Sequence, residues 1–266
     1  MRTMMLAALV AGQSGDVPPL QPAAPWGVDY ADSLCTLSRT YGDAATPITL
    51  AFQPDFFGQG LKAFAMGTRR QLGGQGAANV TLAIPGRDQP IRTTGTRFHL
   101  PTGDRAVLQY ILSRDVFESL VDAPTATIDT SNGPPVTVVL SLSRPAVAAL
   151  RRCETDLLAK SGYDPAKVAR VVTPPGSNPG SWLTDRDYPE AARKAKQSGK
   201  VFVGMTVAAD GKVTDCRILQ SSGAASLDQA TCPILFERAR FRPGLDADGK
   251  PVESYKSLTF TWSLPR

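Results

Sequence analysis

"KVFVGMTVAADGKVTDCRILQSS", residues 200–222, carries Val201, Val203, Met205 and Val207 at every second position, breaks at Asp210-Gly211, and resumes as a second β-prone run from Lys212. Successive side chains of an extended chain point to opposite sides, so those four apolar residues share one face of a strand. Asp-Gly suits a two-residue hairpin connection, where the backbone must turn through positive φ. The stretch therefore predicts a β-hairpin with one face turned to a core.

The neighbouring segments supply that core. Upstream, "YPEAARKAKQSG", residues 188–199, has Pro189 at a first-turn position, helix formers after it and Gly199 to end it, which predicts a short helix. Downstream, Gly223 closes the second strand. Ser226 and Gln229 form a capping-box pattern, with Asp228 near the positive end of the helix dipole. Leu227, Ala230, Ile234 and Leu235 then cover the sheet, Arg238, Arg240 and Arg242 complement the dipole at the far end, and Pro233 predicts a kink or a late start. The last segment, "SYKSLTFTWSL", points Leu258, Phe260, Trp262 and Leu264 one way and Ser257, Thr259, Thr261 and Ser263 the other. A crossover through the helix lays this strand antiparallel to the first hairpin strand, giving the order second, first, last and leaving the final strand at an edge. Residues 183–266 thus read as an α+β unit of three antiparallel strands and two helices.

Residues 166–182 read as a Pro/Gly linker, because Pro174, Pro175, Gly176, Pro179 and Gly180 sustain neither helix nor ladder. Before it, residues 26–165 read as a separate α+β domain. "PITLAFQP", "NVTLAIPG" and "PPVTVVLSLS" have strand composition. "DRAVLQYILSRDVFESLV", capped by Asp104, and "PAVAALRRCETDLLAKSG", opened by Pro145 and closed by Gly162, carry apolar residues at helical spacing. "FFGQGLKAFAMGTRRQLGGQG", residues 56–76, contains no phosphate-cradling pattern and reads as a glycine-bearing loop or loose helix. At the start, one positive charge, a short apolar run and small residues predict a secretory signal over residues 1–15, with a disordered leader over 16–25. That run is well short of the roughly 20 apolar residues that span a bilayer.

Composition narrows the function. A net charge of +5, from 29 basic and 24 acidic residues, is spread along the chain rather than clustered, so no nucleic-acid partner is expected. His99 is the single histidine and no Cys-x-x-Cys occurs, so neither a metal site nor a cofactor is expected. No Gly-x-Ser-x-Gly elbow or cysteine–histidine pairing is legible, and Asp115 with Glu118 sit at a spacing that usually decorates a solvated helix face; an enzyme is not expected. The four cysteines, Cys35, Cys153, Cys216 and Cys232, allow three pairings. Export would favour disulfides, and a domain boundary between the two pairs favours Cys35 with Cys153 and Cys216 with Cys232.

The run "YPEAARKAKQSGKVFVGMTVAADGKVTDCRILQSSGAASLDQATCPILFERARFRP" resembles the TonB C-terminal domain family in its Tyr-Pro, valine-rich strand, Asp-Gly turn, Ser-Ser-Gly, Leu-Asp-x-Ala and closing Arg-Phe-x-Pro. The resemblance covers the C-terminal domain alone. It implies a periplasmic, non-enzymatic module that adds an extended peptide of an outer-membrane TonB-dependent transporter to its edge strand. An exposed strand with unpaired N–H and C=O groups suits that role. The receiving residues would be Tyr255, Lys256, Ser257, Leu258, Thr259, Phe260, Thr261, Trp262 and Ser263. Inner-membrane motor proteins are further partners that the resemblance implies. The membrane helix and long Pro-rich spacer of an energy transducer are not found in this sequence, and a folded domain stands in the spacer's place. Direct energy transduction is therefore expected only if the true start lies upstream or a partner supplies the anchor. The alternative is an envelope scaffold that uses the same fold for self-association, for instance as a homodimer.

Overall fold

The computed structural model describes residues 17–130 and 133–265. The expected signal over residues 1–15 lies outside the described residues. Among these residues the chain forms an α+β fold: a C-terminal three-stranded sheet with its helices, and a preceding domain.

The preceding domain is built on β1 (Gly27–Tyr30), β2 (Cys35–Tyr41), β3 (Ile48–Pro54), β4 (Leu61–Thr68), α1 (Arg69–Leu72), β5 (Gly76–Ala83), β6 (Ile91–His99), β7 (Arg105–Leu112), α2 (Arg114–Glu118), β8 (Thr125–Thr130), β9 (Val136–Val139), α3 (Arg144–Lys160) and α4 (Pro165–Ala169). Its nine strands pair antiparallel in the order β1-β2-β3-β4-β7-β6-β5-β8-β9. Leu37, Phe52, Leu108, Phe117, Leu140 and Leu150 lie in one buried core beneath α3. Cys35 and Cys153 form the expected disulfide, fastening β2 to α3 with a Cα–Cα distance of 6.0 Å.

Three readings change here. Residues 104–121 are a strand followed by a short helix, not one long helix: Ala106, Val107, Leu108, Tyr110 and Leu112 are all buried in β7, between β4 and β6. Ala106, Leu108, Tyr110 and Leu112 share the inward face, but apolar Val107 and the 53% exposed Ile111 on the other face blur the alternation, so the run passes for a helix. Asp104 consequently caps nothing and lies 3.8 Å from Arg69. Residues 61–68, taken for loop or loose helix, are β4; Leu61, Ala63 and Ala65 do alternate inward, but alanines and flanking glycines weaken the signal. The expected disordered leader is also ordered where it is described. Leu20 N donates to Thr137 O and Val139 N to Leu20 O, while Ala23 N donates to Thr40 O and Gly42 N to Gln21 O. Residues 20–23 thereby join β9 to β2, bringing the two ends of the sheet together. Trp26 Nε1, Arg39 Nη1 and the Tyr41 hydroxyl all donate to Leu140 O across the same seam. Backbone groups that would have been a bare edge are thus satisfied.

The Pro/Gly segment runs against the C-terminal domain, with Thr173 bridging Leu245 and Gly176 bridging Arg242, while α4 occupies its beginning. Beyond it come α5 (Glu190–Lys194), β10 (Gly199–Val207), β11 (Val213–Gln220), α6 (Ala225–Arg238), β12 (Gly244–Leu245), β13 (Pro251–Val252) and β14 (Ser254–Trp262). The antiparallel sheet has the order β11-β10-β14, as the alternation and crossover predict. Val201, Val203, Met205 and Val207 are fully buried with Leu227 and Leu235 of α6 and Ala192 of α5. The hairpin connection has three residues, Ala209 to Gly211, rather than the expected two: Ala208 N donates to Lys212 O and Gly211 N to Ala208 O, and Gly211 alone takes a positive φ, 82°, where a Cβ would run into the Phe241 carbonyl oxygen.

Capping differs from the prediction. Ser226 is inside α6, whose N-cap Ala224 offers no side-chain bond. Asp228 instead turns back, accepting from Ser221 Oγ at 2.5 Å, Ser222 N at 2.9 Å and Ser222 Oγ at 2.7 Å. Burial pushes its carboxyl up, but those bonds outweigh it and hold the pKa below the usual carboxylate range. Pro233 neither ends nor delays α6; it and Gln229, whose carbonyl loses a donor, are exposed, so water satisfies that carbonyl at little cost. Arg240 and Arg242 lie past the helix in bridges to Lys212 and Gly176, so of the three arginines Arg238 alone serves its last turn. Gly199 opens β10 rather than ending α5, and Lys196 takes the positive φ after that helix. Leu264 lies past β14 and is 41% exposed, because the strand ends at Trp262.

Candidate functional site

β14 is the edge strand, and its hydrogen-bonding parity decides which residues are available. On the β11 side, Ala208 N donates to Lys212 O and Thr214 Oγ1 to Thr206 O. Even-numbered residues of β10 therefore direct their backbone groups to β11 and odd-numbered ones to β14, because N–H and C=O of one residue point the same way. The register pairs Val201 with Phe260, Val203 with Leu258 and Met205 with Lys256. Even-numbered residues of β14 are thus spent on β10, while Tyr255, Ser257, Thr259 and Thr261 direct theirs off the sheet. Agreeing with this, Gln59 Nε2 of the preceding domain reaches the Tyr255 carbonyl from outside at 3.0 Å.

The side chains of the predicted segment divide between two faces. Phe260 and Trp262 are buried under the helices, Trp262 Nε1 donating to Thr231 Oγ1 at 3.1 Å, and Leu258 packs on the same core. Lys256 is half-buried, Ser257 half-buried, and Thr259 and Thr261 exposed; Ser263 is exposed just beyond the strand. Tyr255 is buried on the opposite face, against the preceding domain.

That contact is an aromatic cluster in edge-to-face and tilted arrangements. Tyr255 lies 5.5 Å from Phe57 and 5.9 Å from Tyr163 between centroids, Phe57 lies 5.0 Å from Tyr163, and Phe56 lies 6.1 Å from Phe202 of β10. Gly204 makes room: a Cβ there would stand 2.6 Å from the Tyr163 hydroxyl. The Arg217 guanidinium lies 4.9 Å from the Tyr163 ring centroid and donates to the Ser161 and Gly162 carbonyls. Lys167 pairs with Glu253 at 3.4 Å, and Glu253 accepts from the Tyr255 hydroxyl at 2.9 Å. Burial pushes the Tyr163 and Tyr255 hydroxyls well above the ordinary tyrosine range.

Past Tyr255 the two domains part, leaving a cleft of about 630 Å³. Ser33, Leu34, Gln53, Pro54, Asp55, Phe56 and Lys62 line one wall; Lys200, Phe202, Gln220, Ser257, Leu258 and Thr259 line the other. The open part of the β14 edge therefore borders a groove walled by the preceding domain. Asp55 Oδ1 accepts from Gln59 N at 2.8 Å; burial pushes its carboxyl up, opposed by its backbone donors and by Lys256 and Arg114. Lys62 and Lys200 enter no ion pair among the described residues. The sequence placed the edge strand but carried no signal for Gln59, Lys62, Asp55 or Phe202, which distant segments bring to it. Only Gly58, at φ 67°, hints at the tight turn that presents Gln59.

The second expected disulfide, Cys216 with Cys232, ties β11 to α6 at a Cα–Cα distance of 5.7 Å. Among the described residues no cluster of three or more His, Cys, Asp or Glu stands ready for a metal ion, and no helix is long and apolar enough to cross a membrane. Comparison with curated proteins gives no match. Residues 184–264 match the family model described as Gram-negative bacterial TonB protein C-terminal, so the sheet, its two helices and its edge strand form a domain similar to that family's.

Proposed function

We propose that this chain is a non-enzymatic envelope protein of TonB-dependent processes. It adds an extended segment of an outer-membrane transporter to the edge of β14. The observation that carries the reading is the outward row of backbone groups at Ser257, Thr259 and Thr261, not covered by another element, of which Ser257 and Thr259 border a groove. The family match supports a transporter as the source of that segment. Two disulfides and no free cysteine fit a periplasmic location, because such bonds persist in oxidising compartments. The preceding domain stands where an energy transducer carries its spacer, so coupling to an inner-membrane motor would need an anchor supplied either upstream or by a partner. The test is an amide NMR titration of the full chain with extended transporter peptides. Saturable shifts centred on Ser257, Thr259 and Thr261 are expected; no shifts at millimolar peptide would remove the reading.

A second reading, a scaffold that self-associates, is favoured by β11, the other edge of the small sheet, with Ile218 38% exposed on it and Phe236 44% exposed on α6. Sedimentation across a concentration series separates the two, since the scaffold predicts a rising mass without added peptide.

A further inference from the structure

We propose that the groove between β14 and the preceding domain selects an extended segment bearing an acidic side chain, with the preceding domain supplying the second wall of the binding site. The inference rests on the strand-addition reading and adds a ruler and a charge to it.

The ruler is Gln59. By occupying the Tyr255 carbonyl it takes the first outward acceptor of the edge, so a ladder with an incoming strand starts at Ser257 and has three receiving residues, Ser257, Thr259 and Thr261. Side chains alternate along a strand, so such a segment spans about five residues, lying about 4.8 Å beyond β14. The aromatic cluster holds this cap in place, because Phe57, Tyr163 and Tyr255 pack against one another where the domains meet.

The charge comes from both walls. Lys200 is the direct cross-strand partner of Thr261, so it stands on the face of the sheet that Thr259 and Thr261 share. Lys62 faces it from β4 across the groove. Both ammonium groups are exposed and without an acidic partner among the described residues. Asp55, the one carboxylate in the lining, already accepts from Gln59 N and lies within the field of Lys256. Two cations therefore remain to be matched by the occupant, because an added strand turns every second side chain to the sheet face that bears Lys200, across β14, and to the wall that bears Lys62.

The experiment uses the full disulfide-bonded chain and a pair of soluble peptides, Thr-Val-Glu-Val-Thr-Val and its Glu→Gln counterpart, with fluorescence anisotropy at low and high salt. The acidic peptide is expected to bind about three- to tenfold more tightly, the gain shrinking at high salt and in Lys62→Gln or Lys200→Gln. Thr259→Pro should abolish binding of both peptides while the amide spectrum stays folded, since that N–H points away from β10. Equal binding of the two peptides to the wild type would overturn the acidic selection while leaving strand addition standing. Unchanged charge dependence in Lys62→Gln would overturn the role of the preceding domain. No binding of either peptide at millimolar concentration would overturn strand addition itself. A doubling of mass that Thr259→Pro reverses would assign the edge to a second copy and overturn the proposal.

Discussion

The nine-stranded sheet and the three-stranded sheet of this chain meet the same problem, unpaired strand edges, in opposite ways. The larger one uses residues 20–23 to bond β9 and β2 at once, joining its two ends there, and lays α3 against β1 and β2. The smaller one leaves β14 half free and lets a neighbouring domain stand beside it without pairing with it. An exposed edge invites aggregation and is usually blunted. On the proposed function, the edge left open beside a groove is the one kept for a partner.

Cutting the disulfides breaks this comparison most severely. The chain-entropy estimate gives about 4–5 kcal/mol for Cys35→Ala with Cys153→Ala, whose ends are 118 residues apart, and about 3 kcal/mol for Cys216→Ala with Cys232→Ala, 16 apart. Urea unfolding of the two double variants checks the order; a larger loss from the short loop would show that packing beneath α6, not loop closure, sets its worth. Proline scanning of β14 comes next. Leu258→Pro should cost roughly 3 kcal/mol by removing a ladder bond to β10, whereas Thr259→Pro should cost under about 1 kcal/mol, and equal losses would contradict the assigned parity. Gly204→Ala should loosen the two domains, costing about 1–3 kcal/mol, because its Cβ meets Tyr163. That cost should fall in a Tyr163→Phe background, where the nearest atom is gone, and a double-mutant cycle by thermal unfolding reads the difference.

The smallest expected effect is one that acid removes. The hydrogen bonds from Arg238 to Asp187, at 2.7 and 2.8 Å, hold that carboxyl down to about 2, with Thr184 assisting. A folded pKa below the unfolded value stabilises above the ordinary carboxylate range and ceases to do so as pH falls from about 4 through 2. Asp187→Asn should lower the stability of the C-terminal domain near neutrality and flatten its profile across that window, so that the difference from wild type vanishes towards pH 2. A profile identical to wild type would mean the pair adds nothing to folding.

The C-terminal domain was legible because its signals are local and agree. Alternation at Val201, Val203, Met205 and Val207, glycine in the hairpin turn and alternation at Phe260 and Trp262 all concern residues within one or two turns of each other. The preceding domain was less legible for the opposite reason. In β7, apolar Val107 and Ile111 on the outer face masked the period that marks a strand, and in β4 small residues diluted it. The capping of α6 was misread because Asp228 serves the Ser221-Ser222 turn, a choice made by tertiary packing rather than by spacing.

By itself the sequence determined the hairpin, the covering helix and the edge position of the last strand, and it favoured both cysteine pairings. Each follows from side-chain period, turn chemistry or a domain boundary. Only the tertiary structure decided how much of the edge stays open. Gln59 and Tyr255 are 196 residues apart, and no local pattern records that one caps the other. The groove exists because Phe57 and Tyr163 dock where Gly204 leaves space, so the site belongs to the packing of two domains and to neither alone.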